Sequence, residues 1–483
     1  MKRLFLTLAL GLLAAPAPFA QDAAYGLESR AAIGAHHLCA GLWVVGRVTK
    51  RSADEIIAQD IAPFRDFSWD KSFAYAVDDA KRTVTVRGIG IPARMAQFNG
   101  DQGCTILPRG ETAVRFKPIA APRNLPDAAT TSWPMGDANA LAEPNAGVDA
   151  ALDWGFAQKE QNTRAVVVVH RGKIVGERYA PGWTRDTPQI SWSAGKSITA
   201  ALVGIIVQRG QVKVDDVAPI KEWHTSKEDP RRDIRVRDLL RMSSGLDFAN
   251  LGLNGPDSFT KDNKHMRIYF DGLNVFEHAV NQPQEIAPNT QYRYRNSDPL
   301  TLGRIVKDAV EAKGENYLTF PQRALFDRIG ARNFVLETDA WGNFIMTGFD
   351  YGAARDWARF GLLHLWDGMW QGERILPDDW LEFISTPAPA DKNQGYGGLW
   401  WLNRGGQWKG VPEDAIRASG HMGQYTMVIP SRDAVIVRLG PSPRGADGYF
   451  TELVTRVLAA LPASAKASAS AKATADRSVG RPQ

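Results

Sequence analysis

The chain has 483 residues, 44% of them hydrophobic and 23% charged, a composition that fits a globular protein with a sizeable core and room for roughly two to three domains. The formal net charge of +5 sits at the ends, on Lys2 and Arg3 and on Lys466, Lys472, Arg477 and Arg481 against Asp476, so the body is close to neutral. That excludes the concentrated basic surface of a nucleic-acid binder. The eight histidines are scattered and neither HExxH nor CxxC occurs, so neither a metal nor a cofactor is expected.

The first residues, "MKRLFLTLALGLLAAPAPFAQ", join a basic start to a short apolar run and small residues, and read as a signal peptide over 1–20. Ala20 makes a good last residue, while Pro18 is awkward there. The run is too short to span a bilayer comfortably and no second one follows. The mature chain is therefore expected to be periplasmic or secreted, with no stable membrane span. Residues 25–125 carry short strand-like runs, "GLWVVGR" and "RTVTVRGIGI", and read as a small β-rich domain with few long helical patterns. Cys39 and Cys104, the only cysteines, both fall in it. In an oxidising compartment they can close a disulfide, and two free thiols are the alternative.

Residues 126–144 are rich in Pro and Ala and read as a linker or a chain draped over a surface. The largest domain is placed at 145–462. "RAVVVVH" and "KIVGERYA" form a hairpin around Arg171-Gly172, and a helix opens at or near Ser193, runs through Leu202, Ile205 and Ile206, and stops by Gly210. Helix and loop alternate from about 210 to 390, with the strongest helical period in "YGAARDWARFGLLHLWDG". Strand signals return in "GGLWWLN", "GQYTMVI" and "DAVIVRLG" before a last helix, "YFTELVTRVLAAL". Two strands before the helical block and three after it predict an α/β (α+β) fold: one sheet built from both ends, with a mostly helical part inserted. The tail 463–483 is too poor in apolar side chains to pack and is expected to be disordered. No internal repeat is found.

Three SxxK pairs occur: Ser68 with Lys71, Ser193 with Lys196, and Ser258 with Lys261. Chance supplies about one or two in a chain of this length, so the motif alone decides nothing. Ser68 lies in the β-rich segment, where an offset of three puts the side chains on opposite faces, and Ser258 lies in the loop-like "LGLNGPDSFTKDNK". Ser193 stands at a helix start, where residues three apart share a face and unpaired backbone N–H groups favour developing negative charge. The duller reading makes Ser193 a helix cap and Lys196 a solvated lysine. Partners tilt the choice, because a serine nucleophile needs a base that takes its proton and later returns one. Among the tyrosines one YxN occurs, Tyr294-Arg295-Asn296. Of two HxG matches, His170-Arg171-Gly172 reads as a hairpin turn and His421-Met422-Gly423 leads into a late strand.

SxxK, then YxN, then [K/H]xG resembles the penicillin-recognising serine hydrolases of the class C β-lactamase group, which includes DD-peptidases, carboxylesterases and 6-aminohexanoate-dimer hydrolases. "WSAGKSITAALVG", "RVRDLLRMSSGL", "APNTQYRYRNSDPLTLGRIV", "ARDWARFGLLHLWDGMWQGERILP" and "SGHMGQYTMVIPSRDAVIVRLG" resemble family blocks, over roughly residues 145 to 460. The flavour is nearest the 6-aminohexanoate-dimer hydrolase branch, whose exported members carry an extension similar to the N-terminal segment. The resemblance implies a β-lactamase/DD-peptidase-like fold and an acyl-enzyme on Ser193. It also implies that Lys196 keeps the field positive and lowers the pKa of Tyr294, which takes the serine proton. Asn296 would bond Lys196 and orient substrate, His421 would line the site, and the backbone N–H groups of Ser193 and Gln424, after Gly423, would hold the oxyanion. "SSGL" at 243 to 246 is assigned to structure.

His421 stands where class C β-lactamases carry the lysine of KTG, and it is a weaker, pH-dependent cation for a β-lactam carboxylate. The expected substrates are small esters, amides or short peptide-like molecules. A DD-peptidase, a weak β-lactamase and a non-catalytic cell-wall-ligand sensor on the same fold are the alternatives. An α/β-hydrolase elbow is excluded, since Ser191 stands where GxSxG needs Gly. The segment from about 247 to 290 is expected to cover the cleft.

Overall fold

A long helix, α1 (Pro18–Trp43), occupies ground where the sequence led us to expect strands. Its turns from Ala31 to Ala40 are buried, polar His36 and His37 included, so no polar stripe repeats every turn and the amphipathic signature of a helix is absent. α1 lies across a four-stranded antiparallel sheet of β1 (Phe73–Asp78), β2 (Thr83–Gly88), β3 (Arg94–Phe98) and β4 (Cys104–Ile106), paired in chain order. The computed structural model describes residues 18–64, 69–248, 264–443 and 445–462. Ser68, Ser258 and Lys261 lie outside the described residues, as does the tail 463–483.

The stretch expected as a linker runs over the body through turns and isolated bridges, and Arg359 holds it by donating to Pro134 O, Gly136 O and Asp137. Then come α2 (Ala146–Ala157), capped by Asn145, the hairpin β5 (Ala165–His170) and β6 (Lys173–Tyr179), and α3 (Gly195–Gln208). The inserted part contains α4 (Lys264–Phe270), α5 (Ser297–Glu311) and α6 (Ala354–Leu365). β7 (Trp401–Leu402), β8 (Ile416–Gly420), β9 (Gln424–Ile429), β10 (Ala434–Leu439) and α7 (Asp447–Ala460) close the fold.

β5 and β6 join the late strands in one six-stranded antiparallel sheet, ordered β7-β8-β9-β10-β5-β6. Four late strands take part instead of the expected three. β8, "IRASG", is short and ends in Ser-Gly, so it reads as a turn until its neighbours pair with it. The valine run of β5 is uniform because both faces are covered. Val167 and Val169 enter the core beneath α3 and α6, while Val166 and Val168 enter a second core with α2 and α7. No helix among the described residues is long and apolar enough to cross a membrane.

Candidate active site

Ser193 sits in a single 3₁₀ turn, Trp192–Ala194, that runs directly into α3, so the helix opens two residues later than expected. Lys196, in the first turn of α3, is buried, and its Nζ donates to Ser193 Oγ at 2.9 Å and to the Thr347 carbonyl at 3.2 Å. The Tyr294 hydroxyl is hydrogen-bonded to Ser193, and its ring centroid lies 4.9 Å from Lys196 Nζ. The three groups thus meet at one oxygen. A β-carbon at position 195 would stand 2.1 Å from Asp350 Oδ1, so only glycine lets the helix begin against that carboxyl.

Burial lowers the pKa of Lys196 to about 7, with Asp350 opposing. Burial also pushes the Asp350 carboxyl well above the usual carboxylate range, which makes it a weak counter-ion at neutral pH. Tyr294 departs from expectation. Burial raises its pKa, and the bond from Ser193 only partly offsets this, so the phenol keeps its proton at pH 7 and the amine is the group that titrates. Asn296 departs as well. Its Nδ2 lies 3.0 Å from Tyr269 OH and 3.0 Å from His265 Nε2, and the second bond of Lys196 goes to the Thr347 carbonyl, which Tyr269 OH also reaches at 2.7 Å.

His421 opens onto the cavity and packs against both Phe64 and Trp192, an apolar setting that lowers its pKa from the ordinary imidazole value and makes it a weaker cation still than expected. His421–Gly423 make the turn between β8 and β9. Arg438, fully buried, donates to the carbonyls of Gly423 at 2.8 Å and Gly440 at 2.5 Å. Gln424, the first residue of β9, clamps Gly440 through both ends of its side-chain amide, at 2.9 and 3.0 Å. This turn abuts the nucleophile, for a β-carbon at Gly420 would lie 1.9 Å from the Ser191 carbonyl.

Ser193, Tyr294, His421 and Gly423 line a cavity of about 510 Å³, floored in part by α4. α4 belongs to the segment expected to cover the cleft, and residues 249–263 of that segment lie outside the described residues. The sequence did not reveal Tyr269, His265, Thr347, Asp350 or Arg438. Thr347 acts through its backbone carbonyl, which has no sequence signature, and the others carry no motif. His170 ends β5 at the hairpin, and Ser244 Oγ donates to Asp298 Oδ1 at 2.7 Å, pinning the start of α5. Among the described residues no group of three or more His, Cys, Asp or Glu is placed to hold a metal.

A serine hydroxyl bonded at once to a lysine that titrates near pH 7 and to a phenol can attack a carbonyl and pass on its proton, the working parts of a serine hydrolase that needs no histidine base. The Beta-lactamase family profile matches residues 149–449, and the chain belongs to that family. A 6-aminohexanoate-dimer hydrolase of Paenarthrobacter ureafaciens is 24% identical over 335 residues, covering 66% of this chain and 81% of the relative. A Bacillus anthracis structure provisionally named as such a hydrolase superposes with a TM-score of 0.53 at 21% identity, covering 63% of this chain and 80% of that one. A family VIII carboxylesterase gives 0.52 at 14% identity, covering 66% and 98%. These structures share the fold.

Proposed function

We propose that the protein is an exported esterase or amidase that cleaves small substrates through an acyl-enzyme on Ser193. The observation that carries this reading is the 2.9 Å contact between Ser193 Oγ and a lysine whose pKa is near 7. Neutral Lys196 accepts the Ser193 proton as the oxygen attacks the carbonyl. The backbone N–H groups of Ser193 and Gln424 hold the oxyanion, each worth about 3 kcal/mol. Tyr294, still protonated, passes its proton to the leaving group, and Lys196 hands the proton it took from Ser193 to the Tyr294 phenolate, so the balance closes. Water then repeats the sequence in reverse. Asn296 positions Tyr269 and His265 beside the amine.

The relatives named for an amide and for an ester hydrolase support both bond types. His421, its pKa lowered, is a weaker ionic partner for a β-lactam carboxylate than a lysine would be, which sets lactams last. Export is supported by the N-terminal apolar run and by the Cys39–Cys104 disulfide. A fluorophosphonate probe should label the wild-type protein and not Ser193→Ala. Turnover of p-nitrophenyl esters or of aminohexanoate dimer should exceed that of nitrocefin. Labelling that survives loss of the hydroxyl would end the proposal, and nitrocefin turnover above both others would reverse the ranking.

A further inference from the structure

The family match begins at residue 149, yet one wall of the active-site cavity comes from before it. Ile33 of α1 and Phe64 line the same cavity as Ser193 and Tyr294. The Phe64 ring centroid stands 5.2 Å from that of His421 and 5.4 Å from that of Trp192, so it packs on both sides of the catalytic turn pair. This wall is anchored. α1 is bonded to β4 through the disulfide, and His36 Nε2 lies 2.5 Å from Glu337 Oε2 of the hydrolase body.

Across the cavity, Met266 and Phe270 of α4 and Trp401 continue the apolar lining. Among the described lining residues the one guanidinium, Arg417, is paired with Asp447 Oδ1 at 2.6 Å and lies over the Tyr425 ring at 4.2 Å. An apolar substrate group laid against Ile33, Phe64 and Phe270 would be buried at a gain of about 0.8 kcal/mol per methylene.

We propose that Ile33 and Phe64 are specificity-determining residues of the hydrolase, and that the N-terminal segment selects substrates bearing an apolar group of medium length beside the scissile bond. This rests on the hydrolase reading above. The test uses the full chain with p-nitrophenyl acetate and hexanoate. A parallel series of n-alkyl acetates reads the other side of the bond. Phe64→Ala should lower the long-to-short ratio about tenfold in one of the two series, with Phe64→Leu restoring most of it and Ile33→Ala lowering it less.

Ratios unchanged in both series would overturn the proposal. If Phe64→Ala does not fold, Ile33→Ala still decides, a ratio unchanged from the wild type in both series overturning the proposal. An enzyme that hydrolyses esters and is labelled at Ser193 but shows flat ratios refutes this inference alone. A protein with no turnover and no labelling refutes the hydrolase reading.

Discussion

Lys196 loses hydration on burial, and its nearest acidic group, Asp350, is itself held in the neutral form. Its folded pKa, about 7, lies below its ordinary value of 10.5, so between those values the unfolded chain binds a proton that the folded chain does not. Stability therefore rises with pH through that window, and the cost of Lys196 is fully present below about pH 7. Lys196→Met should melt at a higher temperature than the wild type at pH 6, with the difference shrinking toward pH 10, while kcat/KM of the wild type climbs through pH 7. Melting curves and pH–rate profiles check both, and a wild-type profile flat from pH 6 to 8 would exclude the amine as base. Ser193, Lys196 and Tyr294 were legible because motif offsets place them. The roles were less so: whether amine or phenol titrates near neutrality depends on how much water each loses, and that is fixed by residues such as Thr347 and Asp350.

α1 is tied to the hydrolase body by an uncharged buried contact. Burial raises the Glu337 pKa well above the carboxylate range and lowers that of His36 to about 3, so the two are held as uncharged groups with a hydrogen bond between them. The other oxygen of Glu337 accepts from the Cys104 backbone N–H at 2.7 Å. Glu337→Gln keeps a donor toward His36 and an acceptor for Cys104, and should cost less than about 1 kcal/mol. Glu337→Leu strands both partners and should cost about 2 to 4 kcal/mol. Denaturant titration separates the two, and equal losses would remove the hydrogen bonds from the account. This helix was not legible, because from Ala31 to Ala40 every residue is buried, His36 and His37 included, and no polar stripe marks an outer face there. β8 was missed for the opposite reason, being too short to show an alternation without its neighbours.

Two of the long-range links among the described residues are the sheet assembled from β5–β6 and β7–β10 and the disulfide across 65 residues. Cross-linking a loop of that length stabilises by about 4 kcal/mol. The double substitution Cys39→Ser and Cys104→Ser should lower the melting temperature by about 5 to 10 °C. Ester turnover should fall with it, since α1 then loses its tether to β4 beside the cavity wall. A double variant that melts with the wild type would show that packing alone holds α1. We propose that residues 25–125 and 145–462 are nonetheless separate units of sequence, the first an accessory to the second.

Taken alone, the sequence determined the order of the catalytic groups, the two-ended sheet and the family likeness, because periodicity and fixed offsets are properties of a linear string. Only the tertiary structure decided that α1 and Phe64 stand at the cleft and that burial lowers the pKa of Lys196 to about 7. Desolvation and wall-building depend on which distant segments exclude water from a point in space, and no local pattern of residues encodes that distance.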